Sequence, residues 1–276
     1  MVNMRAVWAR TAAFLNERAG MLAPFALAAI WVPTVLAALI PPLAAERGTA
    51  VQVVVILAGL ALSILAYWGR SVVMTAAMAP EQGMAARRLA TRRFPVLIGV
   101  MLVLGIVLIV AVSPVFLILM MYGVDPAVFV GASDQLIPAD AAMMAGGYFL
   151  LLIPILLTLG ARLALVAPVV IAEGMGIGAI NRSAALTRGM TGRLIGMILL
   201  YAAVALLTTL GVTDGLGRVL IPALGGDGPW APGVLATLVL LALAESLLGV
   251  VAATFVGKLY LAAVARQHRT DAAAAA

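Results

Sequence analysis

The sequence predicts an all-α integral membrane protein: six transmembrane helices, with three amphipathic helices at the cytoplasmic face. Three observations predict it. Hydrophobic residues make up 65% of the 276 residues and charged residues 10%, with a mean hydropathy of +1.19; a soluble globule carries roughly 45–50% apolar and about 25% charged residues. The apolar residues fall into six long runs nearly free of charge. The connections between the runs alternate between strongly basic and mostly acidic. A soluble fold cannot hide this much apolar side chain, so the solvent of the chain is lipid. The same numbers exclude a cytosolic enzyme, a secreted disulfide scaffold and a disordered chain. With no Cys there is no disulfide, thiolate metal site or cysteine nucleophile. The single His268 lies in the C-terminal tail and cannot build a His-rich metal centre, and no cofactor is expected.

The elements follow in order. Met4, Val7, Trp8, Phe14 and Leu15 share one helical face, with Arg5, Asn16 and Glu17 off it, which predicts an interfacial helix. A hydrocarbon core of about 30 Å takes around 20 helical residues. Residues 19–45, between Arg18 and Glu46, form the first such run. It is too long for a signal-peptide core, so no cleavable signal is expected. Residues 49–69 form the second run, 94–124 the third, 141–161 the fourth and 194–213 the fifth. The sixth covers 231–257, interrupted by Glu245. Continuous rather than alternating runs mean helices, not barrel strands. The even spans are expected to outrun the bilayer: the second to Ala79 before Pro80, the fourth past Arg162 to Ala172 with a kink at Pro168, the sixth to about Gln267. In the outer connections, Asp125-Pro126 reads as a helix start, Asp140 as a cap for the fourth span, and Gly225 to Pro229 as a turn, with Trp230 at an outer aromatic belt. Residues 271–276 are read as a disordered tail after a single membrane domain over 1–270.

Charge sets the orientation. Fifteen of the seventeen basic residues lie in the N-tail, the second and fourth connections with the span ends that lead into them, and the C-tail. The other side receives Arg47 and Arg218, together with Glu46, Asp125, Asp134, Asp140, Asp214 and Asp227. This positive-inside bias predicts a multi-pass protein with both termini cytoplasmic. The alanine-, arginine- and glycine-rich composition suggests a GC-rich bacterium, and its inner membrane is the expected location. A threefold parallel repeat of amphipathic helix plus hairpin is expected over about 4–79, 81–172 and 175–268, because Arg70, Arg162 and Lys258 close the even spans alike and Glu81 and Glu173 follow Arg70 and Arg162 by the same interval.

The segment from Val169 to Gly196 is the most distinctive. Glu173, Arg182, Ser183, Leu186, Thr187, Arg188 and Gly189 carry a resemblance to the six-span membrane domain found fused to bacterial glycerophosphodiester phosphodiesterases, and also as a stand-alone family of inner-membrane proteins. The resemblance covers about thirty residues, with the six-span layout supporting it elsewhere. It implies the membrane fold and no catalytic residues. The phosphodiesterase chemistry of the fused relatives resides in a soluble barrel with metal-binding acids and histidines, and no such barrel is expected in these 276 residues.

Candidate sites follow from charge at depth. Glu245 is the one acid deep in a span, where a charge costs a few kcal/mol or more. It is either a proton or cation site, or a neutral carboxyl bonded to a hydroxyl such as Thr208 or Thr209 or to a backbone carbonyl. Arg70, Arg162 and Lys258 either surround one axis and hold a phosphate-bearing headgroup or small anion, or reach the headgroups independently. Arg162 can also pair with Glu173 or Glu81. Arg87, Arg88, Arg92 and Arg93 form a basic face that sets topology and attracts anionic lipid; no nucleic-acid module accompanies them. Gly174 to Ala179 matches GxGxxA without a strand before it, so its glycines are read as a turn between helices. Gly192 and Gly196 offer a close-packing face. No GxSxG, HExxH or His–carboxylate pair occurs, so an enzyme is not expected. The leading expectation is a non-enzymatic inner-membrane protein that organises anionic lipids or scaffolds a complex. The alternative is a permease or lipid-handling transporter using Glu245 and the cytoplasmic cations.

Overall fold

The computed structural model describes residues 3–40, 48–125, 128, 135–225 and 228–275. Glu46, Arg47, Pro126, Asp134, Gly226 and Asp227, on which part of the charge and turn reading rests, lie outside them. The described residues form ten α-helices and no strand: α1 (Met4–Ala26), α2 (Val32–Leu39), α3 (Thr49–Met78), α4 (Met84–Met121), α5 (Ala139–Leu163), α6 (Val166–Glu173), α7 (Gly178–Leu186), α8 (Thr191–Leu210), α9 (Gly217–Leu224) and α10 (Pro232–Ala275). A π turn over Leu27–Trp31 joins α1 to α2, and another over Gly211–Leu216 joins α8 to α9. Six helices are long and apolar enough to cross a membrane: Met4–Leu39, Ala50–Met78, Met84–Met121, Ala139–Glu173, Thr191–Leu224 and Pro232–Ala273. The large apolar side chains point outward. Ile56 is 67% exposed, Ile109 68%, Leu151 73% and Leu207 68%. Water does not tolerate an apolar surface of that extent, whereas hydrocarbon does. The chain is an integral, multi-pass membrane protein.

The helices differ in outline from the sequence reading in ways that trace to helix breakers. Two of the three expected amphipathic helices are not separate. The segment from Met4 continues into the first span, and that from Met84 runs through Phe94 and Pro95 to Met121, because nothing between amphipathic stretch and span stops the helix. At 38 residues α4 is about 57 Å long, well beyond the bilayer core. Only α7 stands alone; Thr187 is its C-cap, and Gly189 at φ 78° turns the chain beyond it. The fifth span runs on through the second π turn to Leu224, past its expected end at Thr213. Asp140 sits inside the first turn of α5, where its charge suits the helix dipole, and Pro138 holds the cap position. The alanine-rich end, expected to be disordered, continues α10 to Ala275; alanine has the highest helix propensity and no breaker precedes it.

Proline accounts for two of the irregularities inside the spans. Pro33 offers no N–H to the Ala29 carbonyl, and the first π turn forms there. Gly69 of α3 lies against that carbonyl: a Cβ on it would come within 2.7 Å of Ala29 O. Pro168 breaks the fourth span, ending α5 at Leu163 and restarting the helix at Val166. The short α6 that results is the centre of the largest apolar core, with Val166, Pro168, Val169, Val170 and Ile171 buried. Leu97 of α4, Leu186 of α7, Leu194 of α8 and Leu259 of α10 close around it. The core therefore sits at the basic end of the bundle.

Candidate functional site

Side chains on a helix lean toward its N-terminus. In α3, which runs toward the basic end, this turns Arg70 back into the bundle rather than out toward the headgroups. The guanidinium lies on Gly249 of α10, where a Cβ would come within 2.8 Å of Arg70 Nε. A cavity of about 220 Å³ surrounds it, lined also by Tyr67 and Ser71 of α3, Ala164 and Ala167 at the break before Pro168, Tyr201 of α8, and Ala253 of α10. The small residues leave the space. No carboxylate lines it, and Arg70 Nε is buried without a hydrogen-bond partner. This guanidinium is half-buried, with one of its N–H donors unused. An anion there would accept from the unused donor and offset the charge.

The other two cations of the expected constellation do not line this cavity. Lys258 stands 4.7 Å from the centroid of the Phe14 ring. It borders a surface depression of about 420 Å³ with Arg10, Glu17, Arg18 and Pro80. Arg162 is exposed and pairs with neither Glu173 nor Glu81. The cause is rotation about each helix axis, which a shared position at the end of a span does not fix.

Glu173 is taken by Arg182 instead, whose Nε donates to both carboxylate oxygens at 3.0 and 3.3 Å. The Tyr260 hydroxyl donates to the same carboxylate at 3.0 Å, and Arg182 Nη1 donates to Gln267 Oε1 at 2.7 Å. This clasp ties α6 and α7 to α10. Ser183 repairs the Pro168 break: its hydroxyl donates to the Arg162 carbonyl at 2.7 Å and accepts the Leu165 N–H at 3.2 Å. Thr187 donates to Ser183 O at 2.9 Å. Arg188 is exposed, and its carbonyl, with that of Leu186, accepts from Arg266 Nη2 at 3.1 and 2.9 Å. The distinctive segment is thus an architectural joint.

The basic face of α4 divides. Arg87 lies over the Trp68 and Phe25 rings, 5.5 and 5.8 Å from their centroids. Arg88 and Arg92 are exposed and line a shallow depression with Arg87 and Thr91. Arg93 turns the other way and lies over Gly174, where a side chain would displace its guanidinium. Gly174 also has φ 74° as the C-cap of α6, the turn expected of it.

Glu245 is exposed on the outer surface of α10 and makes no hydrogen bond with Thr208, Thr209 or any other described group. The bonded carboxyl, one of its two expected roles, is therefore not formed. The inward face of α10 carries Ala242, Ser246 and Val250, all buried, and Glu245 is rotated about 100° from Ser246. Gly192 and Gly196 have nothing within 4 Å of a would-be Cβ, so they form no close-packing face among the described residues. The close approach is made instead by Gly249, Ala253 and Gly257. Their four-residue spacing was legible in the sequence as a small-residue stripe and was the missed sign of the site. Among the described residues no group of three or more His, Asp or Glu could hold a metal ion. Compared with protein-family models, curated proteins and solved structures, the chain matches none.

Proposed function

We propose that this is a non-enzymatic protein of the bacterial inner membrane, with both termini cytoplasmic, that binds and organises anionic lipid. The observation that supports this most is Arg70, whose Nε is buried against α10 without a hydrogen-bond partner, in a cavity that no carboxylate lines. The exposed Arg88 and Arg92 add a basic surface that attracts anionic headgroups at the same end. On the segment from Glu173 to Gly189 alone, we place the chain beside the stand-alone membrane domains related to glycerophosphodiester phosphodiesterases. Its distinctive residues are spent on the joint between α6, α7 and α10, which fits a scaffold better than an enzyme. A second reading, a lipid-handling transporter, is favoured by the placement of the cavity between helices; it uses Arg70 and not Glu245.

Native mass spectrometry tests the anion site. Arg70→Gln is expected to lose one tightly held anionic lipid, which Arg162→Gln and Lys258→Gln are expected to retain. Arg70→Lys, which keeps the charge, should retain an intermediate amount. Unchanged lipid occupancy in folded Arg70→Gln protein rejects the site.

A further inference from the structure

The Arg70 cavity does not close on itself. Ala164, Tyr201, Ala252 and Val256 line it and also line a second, almost wholly apolar groove of about 320 Å³ between α8 and α10. That groove extends from Leu194 to Val204 on α8 and from Leu248 to Leu259 on α10, with Trp8 at its basic end. Ten helical residues rise about 15 Å. This is half of a hydrocarbon core of about 30 Å, the depth of one leaflet.

We propose that cavity and groove form one site for a single-chain anionic amphiphile, with its carboxylate or phosphate monoester on Arg70 and its one acyl chain between α8 and α10. The inference rests on the reading of Arg70 as an anion site and names the ligand class. Charge fixes one half: a cation with an unused donor, in a cavity that no carboxylate lines, suits an anion. Shape fixes the other. At about 30 Å³ per water-sized group, a cavity of about 220 Å³ takes roughly seven such groups, enough for a small acidic head and its waters. The groove, at about 320 Å³, takes roughly eleven such groups, one acyl chain and not the two of a diacyl lipid. Tyr201 lines both spaces and joins them on the α8 side.

Trp8 borders the groove and serves as reporter. Delipidated full-length protein in a nonionic detergent is titrated with a brominated long-chain fatty acid, and the quenching lost in Trp8→Phe protein is assigned to the groove. Arg70→Gln is expected to weaken the fatty acid by at least about tenfold, while leaving a brominated long-chain alcohol unchanged. Ala252→Leu is expected to weaken both, because it fills the passage between the two spaces. Should that protein fail to fold, Val204→Phe narrows the groove from the opposite wall with the same expected result. A lysophosphatidic acid should compete with the fatty acid, and a diacyl phosphatidylglycerol should compete at least about tenfold less well. Equal loss of acid and alcohol binding in Arg70→Gln overturns the proposal. So does equal competition by the diacyl lipid; if that competition still depends on Arg70, the anion site stands and the single-chain inference alone falls.

Discussion

Replacing Gly257 with leucine is expected to separate α10 from α3 and to leave little folded protein in detergent. A Cβ at this position would lie 2.8 Å from the Met74 carbonyl oxygen, 3.3 Å from Met78 Cγ and 3.4 Å from Ala77 Cβ. The nearest of these is backbone on a long helix and cannot swing aside. Even Gly257→Ala forces the two helices apart, at a cost of about 1–3 kcal/mol for overpacking. A leucine adds three further carbons to a seam without room for the first. Gly196→Ala is the matched control: a Cβ there meets nothing within 4 Å, and alanine favours the helix by roughly 0.5–1 kcal/mol over glycine. Thermal unfolding followed by size-exclusion chromatography reads both. Heat stability of Gly257→Leu equal to that of the parent would mean that α3 and α10 do not meet at this point.

Replacing Ser183 with alanine is the second large effect. Ser183 is fully buried, and its hydroxyl serves two backbone groups stranded by the Pro168 break, the Arg162 carbonyl and the Leu165 N–H. Removing it leaves the N–H without a partner, and leaves the carbonyl with only the 3.4 Å approach of Thr187 Oγ1. Each buried polar group left unsatisfied costs about 1–3 kcal/mol. The break also lies beside the largest core, so the loss is felt by α6 and by everything packed on it. Ser113→Ala, on the exposed side of α4, removes a comparable hydroxyl-to-carbonyl bond to Val110 at 2.9 Å and is expected to shift stability by less than about 0.5 kcal/mol. Equal effects from the two substitutions would show that Ser183 does not hold the break.

The two substitutions separate what was legible in the sequence from what was not. Hydropathy marks the spans because hydrocarbon demands long uncharged helices, a constraint each run satisfies by itself. It also placed the end of α3 before Pro80 and the turn at Gly174, where a local residue decides the geometry. Rotation about a helix axis is not local. Whether Arg70 faces α10 or the headgroups, and whether Glu245 faces inward, depends on which stripe of α10 is small enough to touch α3. Alanine-rich spans disguise that stripe among many similar ones. The partner of Glu173 was hidden for a related reason: Arg162 and Arg182 are both near in sequence. The choice is made by Tyr260 and Gln267, which arrive from α10 at the far end of the chain.

Absence of cysteine makes the arrangement of the spans directly measurable. Single Asn3→Cys, Gly83→Cys, Gly176→Cys and Asp271→Cys substitutions mark the basic end, and Gln135→Cys and Gly228→Cys mark the opposite end. Treated as intact cells with a membrane-impermeant maleimide, the two opposite-end variants are expected to label at once, and the four basic-end variants only after the membrane is permeabilised. Labelling of positions 3 and 271 on different faces, or of position 83 together with position 135, would contradict six crossings with the arginine-rich ends held together.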